Sequence, residues 1–576
     1  MTTGIIIGLV LYGLFVFGIS IRASKKTQGD SEQYLVAGRA VGPVALLGTT
    51  CLSIWSALAF YGYGAGLYRA GIGYFGGAVG AFFVGIYAPT IMYRLWLLGK
   101  RYNYLTPGDF FCHRYRSRFY RLVVSFVSVI CIIPYISVQI TGVANGITTT
   151  SSGKIGFWLV AAILSVYIFL HVLKGGNKSV VGTDTLAGFT GISIAVITSI
   201  VFISRISGGL GNATKTILQN SPQVLEMSGV YSNFIGFFGL AMSAGMSIIA
   251  WPHIAVRSYM AKSEDVFKVM GTAFPLLELL AFGMFAIQGI WAGRAAYPNL
   301  TGAATDTIIP MMALEYAPAV LGVFLVMGVF AFGMSTADSQ LVVASSIINN
   351  DVIPALGKNK KESRQGGLKN TQIWLFILMA LVLVVVKFRP PFLVTYAYGF
   401  CAPGFAQLMP ALFGGIYWRR STTLGAITGT IGGCLAVIIT LFIYNPIPNV
   451  HGILWGLLVN VILFVTVSLC TRPDQRAITE IHDELDAFFR SRNTPAHKVL
   501  LALVAVIFVQ AIVVSPYLPS VILFGWCPLP AFNYILCAFE LAAAGYFLAK
   551  NRLYEPDGSK KEFGGIAAGI TSIKEQ

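Results

Sequence analysis

At 576 residues the chain has length enough for several soluble domains, yet 56% of it is hydrophobic and only 11% is charged. That balance, with a positive mean hydropathy, excludes an ordinary soluble protein and points to a polytopic membrane protein whose first partner is the lipid bilayer. The formal charge of +17 is dispersed in short clusters between apolar runs, which is the pattern of membrane topology and not of a nucleic-acid-binding face.

The first apolar run, residues 3–21, has no cationic stretch before it and is followed by Arg22, Lys25 and Lys26. It reads as a retained helix and not a cleaved signal, with its positive flank in the cytoplasm and the N-terminus outside. Further spans are predicted at 42–68, 72–98, 121–149, 154–173, 184–204, 231–258, 266–293, 318–348, 371–388, 392–417, 422–444, 451–471, 498–518 and 522–549, about fifteen in all. Each is near the ~20 residues that a crossing needs. Alternating sides from an outside start gives the cytoplasmic loops Lys100, Arg101, Arg114, Arg116, Arg118 and Arg121, then Lys174, Lys178, Arg257 and Lys262. Later cytoplasmic loops receive Lys358, Lys360, Lys361, Arg364, Lys369, Arg419, Arg420, Arg472, Arg476, Arg490, Arg492, Lys550 and Arg552, and the C-terminus falls inside. On this reading Arg257 is an anchor at the cytoplasmic end of its span. The eight cysteines show no CxxC or metal-ligand spacing, so neither a disulfide framework nor structural zinc is expected.

Two spans are interrupted. In the second, glycines flank LSIWS; in the seventh, Gly245 and Pro252 bracket the centre. Such breaks expose backbone carbonyls, and paired broken helices in corresponding positions of two halves point to a midplane site in a transporter of inverted repeats. The two spans are five apart, and an odd repeat reverses orientation. The plainer reading is packing, because Gly and Pro are common in membrane helices.

The ninth span holds Ser335, Thr336, Asp338, Ser339 and Gln340 in its middle. Polar groups at that depth must face protein or a wet cavity. Two hydroxyls and a backbone carbonyl one turn earlier make an oxygen cage suited to a hard cation such as Na⁺. Alternatively the hydroxyls bond the preceding turn or join two helices.

These segments carry a resemblance. EQYLVAGRAVGP at 32–43, LSIWS at 52–56, AGLYRAG at 65–71, PYISVQITG at 134–142, GTD at 182–184, WPHIAVRSYMAKS at 251–263, MSTADSQLVVASS at 334–346 and TYAYGFCAPGF at 395–405 occur in the order found in the sodium:solute symporter family. The chain resembles that family over roughly residues 1–445, and its proline/pantothenate branch more than the sugar carriers. The resemblance implies an all-α, LeuT-like fold with inverted five-plus-five helix repeats. Residues 1–40 would form an extra helix and loop, 41–417 the ten-helix transport core, 418–549 peripheral helices and 550–576 a cytoplasmic polar tail.

It also implies a sodium site made by the carbonyls of Leu52, Trp55 and Phe332 and the hydroxyls of Ser335 and Thr336, with Asp184 near the inward exit. Independently, residues at i, i+3 and i+4 share one helix face; Asp184 can equally be a cap at a helix start. Positional candidates for the solute are Ser53, Ser56, Ala59, Tyr63, Gln139, Ser247, Trp251 and Tyr398. Where proline carriers have an Asp in the second span this chain has Ile54, which removes a countercharge beside the cation; Asp338 either compensates or is buried and neutral. Glu278 is an intramembrane acid without a partner evident in the sequence.

The expected function is secondary active transport in the plasma membrane: Na⁺ as coupling ion, a small organic solute (carboxylate, amino acid or pantothenate-like) as cargo, and no organic cofactor. The rivals are a sensor on a transporter scaffold, or the same fold coupled to H⁺. An enzyme is not expected, because the six histidines show no HExxH or paired spacing.

Overall fold

The computed structural model describes residues 1–27, 30–357, 367–388, 397–555 and 563. Lys358, Lys360, Lys361, Arg364, Thr395 and most of the tail beyond Glu555 lie outside the described residues. The helices that build the site are α1 (Thr2–Thr27), α2 (Pro43–Ile54), α3 (Arg118–Thr150), α4 (Phe157–Ser207), α5 (Phe234–Ala244), α6 (Asp265–Ala286) and α7 (Ala319–Ile347). Among the described residues, twelve helices are long and apolar enough to cross a membrane, and one bent pair, Pro222–Tyr231 with Phe234–Ala250, turns by 90°.

Three of the fifteen predicted segments are therefore not single long helices. The second stops at Ile54, before Trp55 at ψ 71°, and its remainder runs on into an apolar helical stretch of 45 residues, Leu58–Tyr102. The fifth is the short helix Phe157–Leu173, and the seventh is the bent pair. α4 contains the turn between the fifth and sixth segments at Gly176, whose φ of 53° suits glycine. A Cβ there would lie 2.5 Å from the Tyr34 carbonyl oxygen.

α7 is the central element. It packs on α4, α3, α2 and α1, and from Val329 to Ile347 all its side chains are buried. A helix apolar or buried on every face is what the middle of a membrane bundle requires.

The connecting segments gather into two sets. At one end Arg39 donates to Glu32, Asn103 and the Tyr104 carbonyl, Arg121 meets Asp109 and Asp351, Arg101 meets Glu484, and Arg116 meets Glu480. At the other, Arg69 pairs with Asp306 and Arg294 donates to the Tyr68 carbonyl.

Candidate functional site

The break in the second span comes first. α2 has Pro43 at its first turn, where the missing N–H costs nothing. At the break the Trp55 N–H still bonds the Cys51 carbonyl at 2.7 Å, while Ser56 N bonds Ile54 O at 2.9 Å, a tighter turn than an α-helix. The ψ of 71° at Trp55 swings its carbonyl off the helix axis. In the seventh span α5 ends at Gly245, a tighter helical turn covers Met246–Ala250, Trp251 is extended and Pro252 opens the next helical turn.

α7 meets the first break. The Thr336 hydroxyl lies 3.3 Å from the Leu52 carbonyl and 3.1 Å from the Phe332 carbonyl, so its one proton is shared between oxygens of two spans. The Ser335 hydroxyl, one residue away, is buried and makes no hydrogen bond among the described residues. Asp184 is fully buried, takes a 2.5 Å bond from Thr49 Oγ1 on one oxygen, and has the other unpartnered among the described residues. These donors are all oxygen, the chemistry of a hard cation. Leu52, Phe332 and Thr336 thus converge, Ser335 adjoins Thr336 on the same helix, and Asp184 is tied to α2 through Thr49, one turn before Leu52. Trp55 is tied elsewhere by its side chain, whose Nε1 donates to Glu278 at 2.9 Å.

Arg257 corrects the sequence reading. Its side chain does not reach out as an anchor but is buried, 2% exposed. Its guanidinium donates to Ser53 Oγ, to Thr49 Oγ1 at 3.2 Å, to Ser339 Oγ at 3.0 Å and to the His253 carbonyl. A basic residue just past an apolar run reads as an anchor, and only the three-dimensional meeting of hydroxyls from separate spans shows otherwise. Ser53, a solute candidate, is thus bonded to Arg257. Asp338 is bonded to His171 Nδ1 at 2.6 Å, both fully buried.

One solute candidate, Trp251, packs on Tyr135, which sequence reasoning missed. Its ring lies 5.4 Å from that of Trp251 and 6.3 Å from that of His253. Trp251 Nε1 donates to Ser247 Oγ at 3.1 Å, and Ser243, one turn earlier, donates to the Tyr398 carbonyl at 2.5 Å. Gln139 accepts from Leu58 N at 3.4 Å and its Nε2 is buried with no bond among the described residues. Ala59 is buried one turn past the break, and its N–H bonds Ser56 Oγ. Tyr63 is held by its own bond, donating to the Tyr74 carbonyl at 2.7 Å. The signal for Tyr135 was its spacing: it lies four residues before Gln139, on the same helix face.

A family model described as "Sodium:solute symporter family" matches residues 34–433. The sodium/pantothenate symporter of Haemophilus influenzae is 28% identical over 81% of this chain and 96% of its own length. A sodium/proline symporter of Staphylococcus aureus is 26% identical over 81% and 92%. Among solved structures, a Na⁺-coupled sialic acid symporter in a substrate-bound outward-open state covers 82% of this chain and 98% of its own with a TM-score of 0.68, at 16% identity. The relatives are named transporters, not enzymes, and that likeness in structure carries the fold. With more than half its length matched, the chain belongs to the sodium:solute symporter family.

Proposed function

We propose that this chain couples inward Na⁺ movement to the uptake of a small organic solute by alternating access. One observation carries the reading: a hydroxyl of the ninth span, Thr336, meets the Leu52 carbonyl at the break of the second. Sequence-distant oxygens are brought together without any covalent need for it, as an ion site requires. Na⁺ is held by the carbonyls of Leu52, Trp55 and Phe332 and the hydroxyls of Ser335 and Thr336, with Asp184 on its way inward. The broken second and seventh spans belong to inverted five-helix repeats within 41–417, the N-terminus outside and the C-terminus inside the plasma membrane.

Na⁺ in this cage ties the second span to the ninth and favours the state that binds solute. Coupling is that difference in affinity, and by reciprocity the solute raises the affinity for Na⁺. The solute lies among Ser56, Gln139, Ser247, Trp251 and Tyr398 and is a carboxylate, amino acid or pantothenate-like compound, a reading supported by the pantothenate and proline in the relatives' names. Inward release is driven by the Na⁺ gradient and by the potential, ~2.3 kcal/mol per charge per 100 mV.

The test is uptake of pantothenate, proline and small carboxylates into proteoliposomes of the purified chain under a Na⁺ gradient. Wild type accumulates one of them in Na⁺ and not in K⁺, while Ser335→Ala and Thr336→Ala raise the half-saturating Na⁺ about tenfold, the loss of roughly 1.4 kcal/mol. Uptake indifferent to both substitutions and to the exchange of Na⁺ for K⁺ would overturn the assignment.

A further inference from the structure

Neither the cage nor the solute cluster uses Arg257, although its partners adjoin the cage on both sides. Ser53 directly follows Leu52 and Thr49 lies one turn before it; Ser339 lies one turn beyond Ser335. Thr49 also joins the guanidinium to Asp184: its one proton goes to Asp184 Oδ2, which leaves a lone pair for Arg257 Nη2. Along α2 and α7, Thr49 and Ser339 sit towards the end that holds Arg39, Asn103 and Asp351, the end that the basic loops assign to the cytoplasm, while Ser53 adjoins Leu52 on the side of the break. The same end carries a further closure: Val41 N bonds Met260 O at 3.1 Å and Lys262 N bonds Val41 O at 2.9 Å, tying the segment that bears Arg257 to the entry of α2.

We propose that Arg257 is the residue that blocks uncoupled passage of Na⁺ from the cage to the cytoplasm, a positive plug held by the hydroxyls of Thr49, Ser53 and Ser339 across the second, seventh and ninth spans. The inference rests on the proposed Na⁺-coupled transport. A guanidinium stays charged at any physiological pH, and in a low-dielectric interior two like charges cannot share a narrow path. Asp184 is the carboxylate both charges seek, so a cation reaching it competes with Arg257 and exit requires the guanidinium to move. The holding bonds go to neutral oxygens, three hydroxyls and the His253 carbonyl. Each is individually modest, so the plug opens when the spans separate, which a buried direct ion pair would resist more strongly. Exit is thereby linked to the conformational step and not to thermal escape of the ion.

The experiment measures influx of radiolabelled Na⁺, with no solute added, into proteoliposomes of the full-length chain. For Arg257→Gln the expected result is a rise of roughly tenfold over wild type, within the ~5–150-fold that a coupling between sites usually spans. Arg257→Lys, which keeps the charge, stays nearer wild type. Should Arg257→Gln not yield folded protein, the double variant Thr49→Ala with Ser339→Ala keeps the charge, loosens the clamp and is expected to leak as well. Influx equal to wild type in whichever of these variants folds overturns the plug. Na⁺-specific thermal stabilisation of the wild type, measured in parallel, separates the two readings. Its absence overturns the cation site itself; its presence with tight variants overturns the plug alone.

Discussion

A carboxyl group with no exposure, halfway along a membrane helix, has to be held by a partner or be neutral. Glu278 is such a group on α6, and one of its oxygens takes the indole N–H of Trp55 at the break of the second span. The bond fixes the side chain of the residue whose carbonyl we assign to the cage, and so fixes how far the break can rotate. Glu278→Gln retains an acceptor for the indole. Glu278→Leu does not, and leaves a buried donor unsatisfied at a cost of ~1–3 kcal/mol. We expect Glu278→Leu to lower the melting temperature and raise the half-saturating Na⁺ for stabilisation, with Glu278→Gln closer to wild type on both. Equal behaviour of the two variants would remove Glu278 from the support of the break. At this scale the sequence was legible where a pattern lay along one helix. Phe332, Ser335 and Thr336 fall on one face by spacing alone, whereas the bond between His171 and Asp338 joins residues 167 positions apart. No single-helix rule connects them. Glu278 posed the same difficulty, its partner lying 223 residues away.

At the scale of elements, the seventh span breaks where backbones must touch. A Cβ on Gly245 would lie 2.1 Å from the Ala81 N, 2.3 Å from the Gly80 carbonyl carbon and 2.5 Å from the Gly77 oxygen. Those atoms belong to the stretch after the second span, so the glycines of both segments let one backbone nest on the other, as small residues do between membrane helices. The two readings of Gly245 posed by the sequence, a packing glycine or a functional break, are therefore not exclusive: close approach is how the break is held. Gly245→Ala forces backbone to shift and is expected to lower the melting temperature by several degrees or prevent expression. Gly283→Ala is the control, because a Cβ there meets nothing within 4 Å and a helical alanine is favoured over glycine by about 0.5–1 kcal/mol. A Gly245→Ala variant as stable as Gly283→Ala would mean that the two segments do not pack this closely. Breaks were legible from Gly and Pro, but their lengths were not. Local propensity marks where a helix can stop, and the neighbouring backbone decides where it does.

At the scale of the whole molecule, the proposed ion is a tie between parts of the chain that are otherwise joined only by packing and a few polar bonds. Leu52 lies in the first of the broken spans and Thr336 is 284 residues later, with the Thr336 hydroxyl bridging to the Leu52 carbonyl at 3.3 Å. A ligand that binds the folded chain and not the unfolded one stabilises it by mass action, ~2.7 kcal/mol at one hundred times its dissociation constant. Na⁺ added to the purified chain in detergent should therefore raise the melting temperature in a saturable way. K⁺ or choline at the same ionic strength should not, since the proposed cage of oxygens would discriminate by fit, while general screening acts alike for all three. Thr336→Ala removes the oxygen that both spans share and should flatten the Na⁺ response, whereas a substitution at an exposed lipid-facing position such as Phe324 should leave it intact. If Na⁺ and K⁺ shift the wild type equally, the stabilisation is ionic strength alone, and the two broken spans meet for packing without an ion between them.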